Sequence, residues 1–320
     1  MTTLSAANAP DVTAKNYVRA ESDLQMRSYI EKLGCFGKFV HLRNAYSVEN
    51  QVTVRANRDT LYSFGVFDLR APVTVIMPEP AGRYQSLMAV SQEHSITAYY
   101  GPRDVTLTEA EIGTRYVLLI VRTFADPTDA ADMAAAHALQ DALRVEQADT
   151  GDFDVPDWSQ EQVETMRNAL MLLASVSTDS AKSFGKKEDL DPVYWLLGAA
   201  IGWGGLPAAA ATYRSVFPPK NDGRTAYTLT VKDVPVDGFW SITLYDGEGW
   251  MPVNEYNAYS YNNVTAQKNS DGSVTIHFGG DPDQPNFLPL VPDWNYVVRM
   301  YQPRQEILDG TWTFPAPVEA

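Results

Sequence analysis

Asn57-Arg58-Asp59-Thr60-Leu61-Tyr62-Ser63-Phe64-Gly65-Val66-Phe67 is the stretch whose reading decides the fold. Leu61 to Phe67 has the aromatic and apolar content of a buried strand, yet an amide, a guanidinium and a carboxylate stand at its leading edge. The same conflict returns at Gln92-Glu93-His94, with Tyr99 and Tyr100 just beyond. Ionisable groups set in segments that otherwise read as core are the strongest local mark of a site.

Outward from this stretch the pattern stays short and strand-like. Val52 and Val54 alternate, and the runs Val73 to Met77, Arg83 to Val90, Ser95 to Tyr100 and Tyr116 to Phe124 follow. Pro78-Glu79-Pro80-Ala81-Gly82 and Gly101-Pro102 separate them with turn chemistry. Upstream, Met26, Tyr29, Ile30 and Leu33 fall at helical spacing in Thr13 to Leu33, with Gly34 as a stop.

Downstream the period becomes helical. Asp126-Pro127 predicts a cap and first-position proline for a helix to about Gln147. Ser159 with Gln162 forms a capping box ahead of Val163, Met166, Leu170, Leu173 and Val176, and Asp191-Pro192 opens Tyr194 to Ile201. Gly202-Trp203-Gly204-Gly205 breaks that helix, and Pro207 predicts a short alanine-rich helix to about Phe217. Strands return over Thr225–Val231, Gly238–Tyr245, Ser273–Phe278 and Trp294–Gln302, with Asp271-Gly272 as a hairpin turn and Thr311–Phe314 as a last edge strand. The expected fold is mainly β with an α insertion: two antiparallel β-sandwich (jelly-roll-like) domains with a helical segment between them. The expected division is an N-terminal helical segment over 1–34, a first sandwich over 35–125, the helical insertion over 126–217 and a second sandwich over 218–320.

Composition narrows the function classes. With 25 basic and 40 acidic side chains the chain carries a formal charge of −15, which repels phosphate backbones and anionic headgroups. No run reaches the ~20 apolar residues of a membrane span. The single cysteine, Cys35, permits no intrachain disulfide and reads as a small buried hydrophobe. Met1 to Pro10 has neither a basic nor an apolar leader region, so the expected compartment is the cytoplasm, or the periplasm if a leader has been removed.

Two sets of motifs resemble known families. Asn57 to Ser63, Gly82-Arg83-Tyr84 and Arg115 to Arg122 resemble domain of unknown function 1254. Phe239-Trp240-Ser241-Ile242-Thr243-Leu244-Tyr245-Asp246, Asp271 to Ile276, Asn286-Phe287-Leu288-Pro289 and Arg299-Met300-Tyr301-Gln302-Pro303 resemble domain of unknown function 1214. Together they span roughly residues 40 to 315 in the right order. The resemblance implies two β-sandwich domains with accompanying helices in a bacterial protein, and it carries no settled activity or catalytic residues. Phe287 departs from the pattern, which has Trp there.

Each candidate group has a chemical and a structural reading. Asp59 and Glu93 are the candidate bases and His94 the acid–base partner. Arg58 is a fork for a carboxylate or oxyanion, and Asn57, Tyr62 and Tyr100 are further contacts. The alternative is an Arg58–Asp59 network at a strand start, with Asn57 fixing a turn and His94 satisfied in the core. Trp250, Glu255 and Tyr256, in a loop that also holds Tyr259 and Tyr261, suit a ring or polyhydroxylated ligand, or a subunit interface. The four histidines, His41, His94, His137 and His277, lack metal-motif spacing, so no metal and no cofactor is expected; a site assembled from His41, His94 and Asp59 is the rival. The Asp281 to Asn286 segment lacks calcium-loop spacing, and the Gly202 to Gly205 run lacks the lysine of a phosphate loop.

The leading expectation is a metal-independent enzyme of hydrolase or lyase class. It would act on a neutral or cationic small molecule by carboxylate and histidine chemistry, and assemble as a homo-oligomer. The alternative is a non-catalytic carbohydrate-binding or oligomeric structural protein, and the third reading is a metalloenzyme using His94.

Overall fold

The computed structural model describes residues 10–176 and 182–320. The architecture is mainly β, with several antiparallel sheets and few helices. Most of the leader-region reading, at residues 1–9, lies outside the described residues. Among the described residues no helix is long and apolar enough to cross a membrane.

In chain order the first elements are α1 (Tyr17–Leu33), β1 (Val40–His41), β2 (Thr60–Asp68), β3 (Val73–Met77), β4 (Gln85–Ser91), β5 (Ile96–Tyr100) and β6 (Arg103–Leu107). Then come α2 (Glu109–Ile112), β7 (Tyr116–Phe124), α3 (Ala130–Ala142), β8 (Arg144–Gln147), α4 (Gln160–Ala174) and α5 (Pro192–Gly202). The remainder is β9 (Ala211–Val216), β10 (Tyr227–Val231), β11 (Trp240–Tyr245), β12 (Ser260–Asn262), β13 (Val274–Phe278), β14 (Phe287–Leu288), β15 (Asn295–Tyr301), α6 (Gln305–Leu308) and β16 (Val318–Glu319). The chain divides into two compact units. Met1–Leu42, Tyr62–Thr123 and His137–Pro207 form the first, and Arg43–Leu61, Phe124–Ala136 and Ala208–Ala320 the second.

In the first unit a five-stranded sheet, β1-β2-β7-β4-β5, and a three-stranded sheet, β6-β3-β8, share one core. Alternate residues of each contribute: Val73, Val75 and Met77 from β3, Leu87 and Ala89 from β4, and Val117, Leu119 and Val121 from β7. Period-2 alternation delivering one face to a common interior makes a sandwich. A second cluster packs α1, α4 and α5 through Tyr17, Val18, Trp158, Val163, Leu170 and Leu197. Their ends follow the sequence signals, except that Gln162 Oε1 accepts from Val12 N and does not close a capping box with Ser159. Gly34 closes α1 in the left-handed region (φ 68°), Ser159 accepts from Gln162 N at 3.3 Å, and Asp191 accepts from Val193 N and Tyr194 N ahead of Pro192.

In the second unit the sheets β14-β13-β10-β16 and β12-β11-β15-β9 enclose a core. Leu229, Ile276, Phe278, Trp240, Ile242, Leu244, Tyr296 and Val298 fill it around Trp294. The opposite residues of β11 and β15 (Ser241, Thr243, Tyr245, Asn295, Arg299) are buried as well, although most are polar. That second, polar face is where the candidate site is built.

Four local expectations are corrected. The alanine-rich segment after Pro207 is strand β9, paired in register with β15 from Tyr296↔Val216 to Tyr301↔Ala211; Thr212, Tyr213 and Val216 suit a ladder, and tertiary pairing overrides alanine's helix preference. Asp126 caps a turn instead of a long helix, accepting from Thr128 N and Oγ1 at 2.9 and 2.7 Å; α3 begins only at Ala130, and Arg144–Gln147 is a strand. Val52 and Val54 are not in a strand and are 85% and 50% exposed. Thr311 to Phe314 forms no strand; Phe314 is pinned edge-on to Trp240 in the core, and the short edge strand is β16.

Candidate functional site

Asp59 lies just ahead of β2 in the second unit. Asn57 positions it: Asn57 Oδ1 accepts from Asp59 N at 2.6 Å, while Asn57 Nδ2 donates to Tyr301 Oη at 2.8 Å and more weakly to Thr60 Oγ1. This is an Asx turn, the local device by which asparagine competes with a strand ladder. Arg299 on β15 holds the preceding backbone, donating through Nη2 to Arg55 O at 2.7 Å and Ala56 O at 3.3 Å. Its Nη1 donates to Thr243 Oγ1 at 3.0 Å, and its Nη2 also reaches Tyr245 Oη at 2.6 Å.

The polar face of the sheet receives the carboxylate. Antiparallel register places Asn262 of β12, Ser241 of β11 and Arg299 of β15 in one row, with Ser260 and Thr243 opposite one another in the next. Ser241 Oγ donates to Asp59 Oδ2 at 2.6 Å, and Ser260 Oγ and Asn262 Nδ2 reach Oδ1 at 3.2 and 3.5 Å. Asp59 is 3% exposed. Burial pushes its carboxyl above the ordinary range, against the pull of Ser241, the Arg299 charge, Asn262 and Ser260. A carboxyl raised in this way holds its proton to higher pH and can exchange it with a bound ligand.

Asp59 borders a cavity of about 230 Å³ whose wall also includes Arg58, Asp126, Thr128, Tyr256, Tyr259, Ser260, Tyr261, Asn262 and Thr265. The cavity is lined within the second unit throughout. Arg58 Nη1 donates to Tyr46 O at 3.0 Å, and its guanidinium lies 5.1 Å from the centre of the Tyr259 ring. Tyr256 packs edge-on to Phe287. Phe287, the residue that departs from the family pattern, is thus an aromatic support behind the wall.

The remaining candidates are placed elsewhere. Trp250 shapes a turn with Asp246, through Asp246 N to Trp250 O at 2.8 Å and Trp250 N to Asp246 Oδ1 at 2.9 Å; neither it nor Glu255 lines the cavity. Glu93 and His94 belong to the first unit and occupy the β4–β5 turn, not a strand, with His94 N donating to Ser91 O. Glu93 pairs with Arg19 at 3.0 Å. His94 is fully buried at φ 55°; its Nε2 accepts from Gly204 N at 2.8 Å, and its ring stacks on Trp203 and meets Phe184 edge-on. With Nε2 accepting, Nδ1 carries the proton. Burial pushes this histidine down to about 3. Tyr62 stacks on Phe64 beneath the Arg122 guanidinium, and Tyr100 packs against Tyr84. Among the described residues no three His, Cys, Asp or Glu side chains are grouped as metal ligands; His41 instead shares a hydrogen bond with Ser63 at 2.7 Å.

Ser241, Thr243, Ser260 and Arg299 were not among the sequence candidates. Their signal was in the alternation: in Trp240-Ser241-Ile242-Thr243-Leu244-Tyr245 the apolar positions fill the core, leaving hydroxyls to line a second buried face.

Residues 36–107 match the family model described as "Protein of unknown function (DUF1254)", and residues 219–305 that described as "Protein of unknown function (DUF1214)". The two matches follow one another in the order that the motifs indicate. No curated protein matches it. Among solved structures, the VPA0106 protein from Vibrio parahaemolyticus is similar at 20% identity, over 95% of this chain and 98% of that one, with a TM-score of 0.68. That likeness shows a shared fold. An uncharacterized protein from Burkholderia cenocepacia matches at 16% identity over 94% of this chain and 89% of its own, with a TM-score of 0.49.

Proposed function

We propose that the protein is an enzyme of hydrolase or lyase type acting on a small polar molecule, with Asp59 as its acid–base group. The observation that carries this reading is one carboxyl, nearly sealed from solvent and shifted upward by burial, at the wall of a cavity large enough for a compact ligand. Ser241, Ser260 and Asn262 hold the carboxyl in one orientation, and the two serine hydroxyls can rotate to serve either protonation state. Tyr256, Tyr261 and Thr265 supply further polar groups around the same space. His94 takes no part in this mechanism: its Nε2 is committed to Gly204, and its low proton affinity keeps it neutral at working pH.

A pooled extract of small metabolites, incubated with the protein and followed by mass spectrometry, tests the proposal. The wild-type chain is expected to consume or form specific compounds, and Asp59→Asn to leave them unchanged while keeping its fold. Turnover that survives Asp59→Asn would remove Asp59 from the chemistry. A compound retained unchanged by both proteins would favour the non-catalytic binder.

A further inference from the structure

Resting on that reading of the cavity, we infer that its ligand carries a carboxylate and that Arg58 receives it. In a chain of net charge −15, the interior of the second unit brings together three arginines, Arg55, Arg58 and Arg299, and one buried carboxyl, Asp59. Arg299 is committed. Its donors go to Thr243, Tyr245 and the backbone of Arg55 and Ala56, and its charge offsets Asp59. Arg55 donates through Nη1 to Asn295 Oδ1 at 2.5 Å and does not line the cavity.

Arg58 is the cation on the cavity wall, and it has donors to spare. Of its five N–H groups, one is directed to Tyr46 O, and the guanidinium carbon lies 5.1 Å from the centre of the Tyr259 ring. Among the described residues no carboxylate lies within ion-pair distance of it; Glu49 and Asp59 act on it only through the longer-range field. A partly buried guanidinium without a counter-ion is costly, whereas a planar oxyanion entering the cavity would fill the remaining fork with paired, charge-assisted hydrogen bonds.

The acids of the wall do not meet that demand. Asp59 is turned to Ser241, Ser260 and Asn262, and Asp126 Oδ1 accepts from Thr128. A cavity near 230 Å³ suits a compact acid whose body reaches the Asp59 side while its carboxylate lies on Arg58. The cationic ligand class suggested by the overall charge is therefore the one this wall is least suited to hold.

The test uses four probes on the full-length protein at constant ionic strength: lactate and benzoate, each against its neutral amide, lactamide and benzamide. Backbone amide resonances of Tyr259, Ser260 and Thr265 report binding. At least one carboxylate is expected to shift them along a saturating curve, with its amide weaker by about tenfold or more. Arg58→Met is expected to abolish the carboxylate preference and Arg58→Lys to restore part of it, both judged on samples with native resonance dispersion. Amides binding as well as acids, acids indifferent to Arg58→Met, or no shift with any probe would each overturn the inference. The comparison within the wild type does not depend on how the variants fold. Titration of Asp59 in the same samples reads the acid–base assignment separately.

Discussion

Ser241 Oγ donates to Asp59 Oδ2 at 2.6 Å, joining residues 182 apart in the chain. This bond ties an Asx turn ahead of β2 to the polar face of β11, and the row of neighbours across β12 and β15 completes the setting. Each contact is local to the second unit, so its consequences can be tested without reference to the first.

Asp59 contributes less to stability at neutral pH than in acid. Its folded-state affinity for a proton is raised, so the folded chain binds more protons than the unfolded one above the ordinary carboxyl range near pH ~3.9. Its stabilising contribution is full below that range and declines as pH rises through the folded-state midpoint. Denaturant unfolding at a series of pH values should show Asp59→Asn gaining on the wild type as pH climbs from about 4 toward 7. A constant difference between the two would contradict the shift.

His94 behaves with the opposite sign. Burial lowers it to about 3, so the stability it confers is present above the unfolded value near 6.5 and is lost as pH falls toward 3. Asparagine tolerates the positive φ of this position and carries no titratable group. Over that window the wild type should lose up to about 1.4 kcal/mol per pH unit relative to His94→Asn. Parallel pH–stability curves for the two proteins would show that His94 is protonated as readily as in an unfolded chain.

Phe278 is fully buried and stacks at 5.1 Å on Trp294 and 4.9 Å on Tyr296. Truncation to alanine should cost about 3–5 kcal/mol in denaturant midpoint analysis, combining lost transfer energy with an unfilled cavity. A cost under about 1 kcal/mol would mean that the core of the second unit repacks freely.

Gly223 has φ 75°, and a Cβ there would stand 2.7 Å from Pro292 N and 2.8 Å from the Val291 carbonyl carbon, both backbone atoms. Gly223→Ala should therefore destabilise by more than about 1 kcal/mol, because neither the dihedral nor the neighbour can yield cheaply. Thermal unfolding compared with Gly272→Ala, where φ is 85° but no atom lies within 4 Å, separates steric from dihedral cost.

Much of this architecture was legible in the sequence where alternation is strong. Leu229, Val231, Val274, Ile276 and Phe278 announce their strands, and Gly34, Ser159 and Asp191 announce helix ends. The segment after Pro207 reads as a helix in sequence because alanine's helical preference carries no information about β15, with which it pairs. Arg58, Asp59 and Tyr256 of the candidate site were legible as polar or aromatic residues out of keeping with their surroundings. Ser241, Ser260 and Arg299 were not, because a small hydroxyl on a strand is equally at home facing solvent, and only register shows which acid it faces. Glu93 and His94 looked like the same kind of anomaly, but they resolve into a turn and a core histidine with its own backbone partner.

The most direct test of the account is the titration of the Asp59 carboxyl itself, followed by carbon-13 NMR and assigned by its disappearance in Asp59→Asn. The account predicts a midpoint clearly above the ordinary aspartate value of about 3.9. A midpoint at or below that value would show a carboxylate held firmly ionised by Ser241 and Arg299, which would make it a structural anchor and contradict its role as the acid–base group.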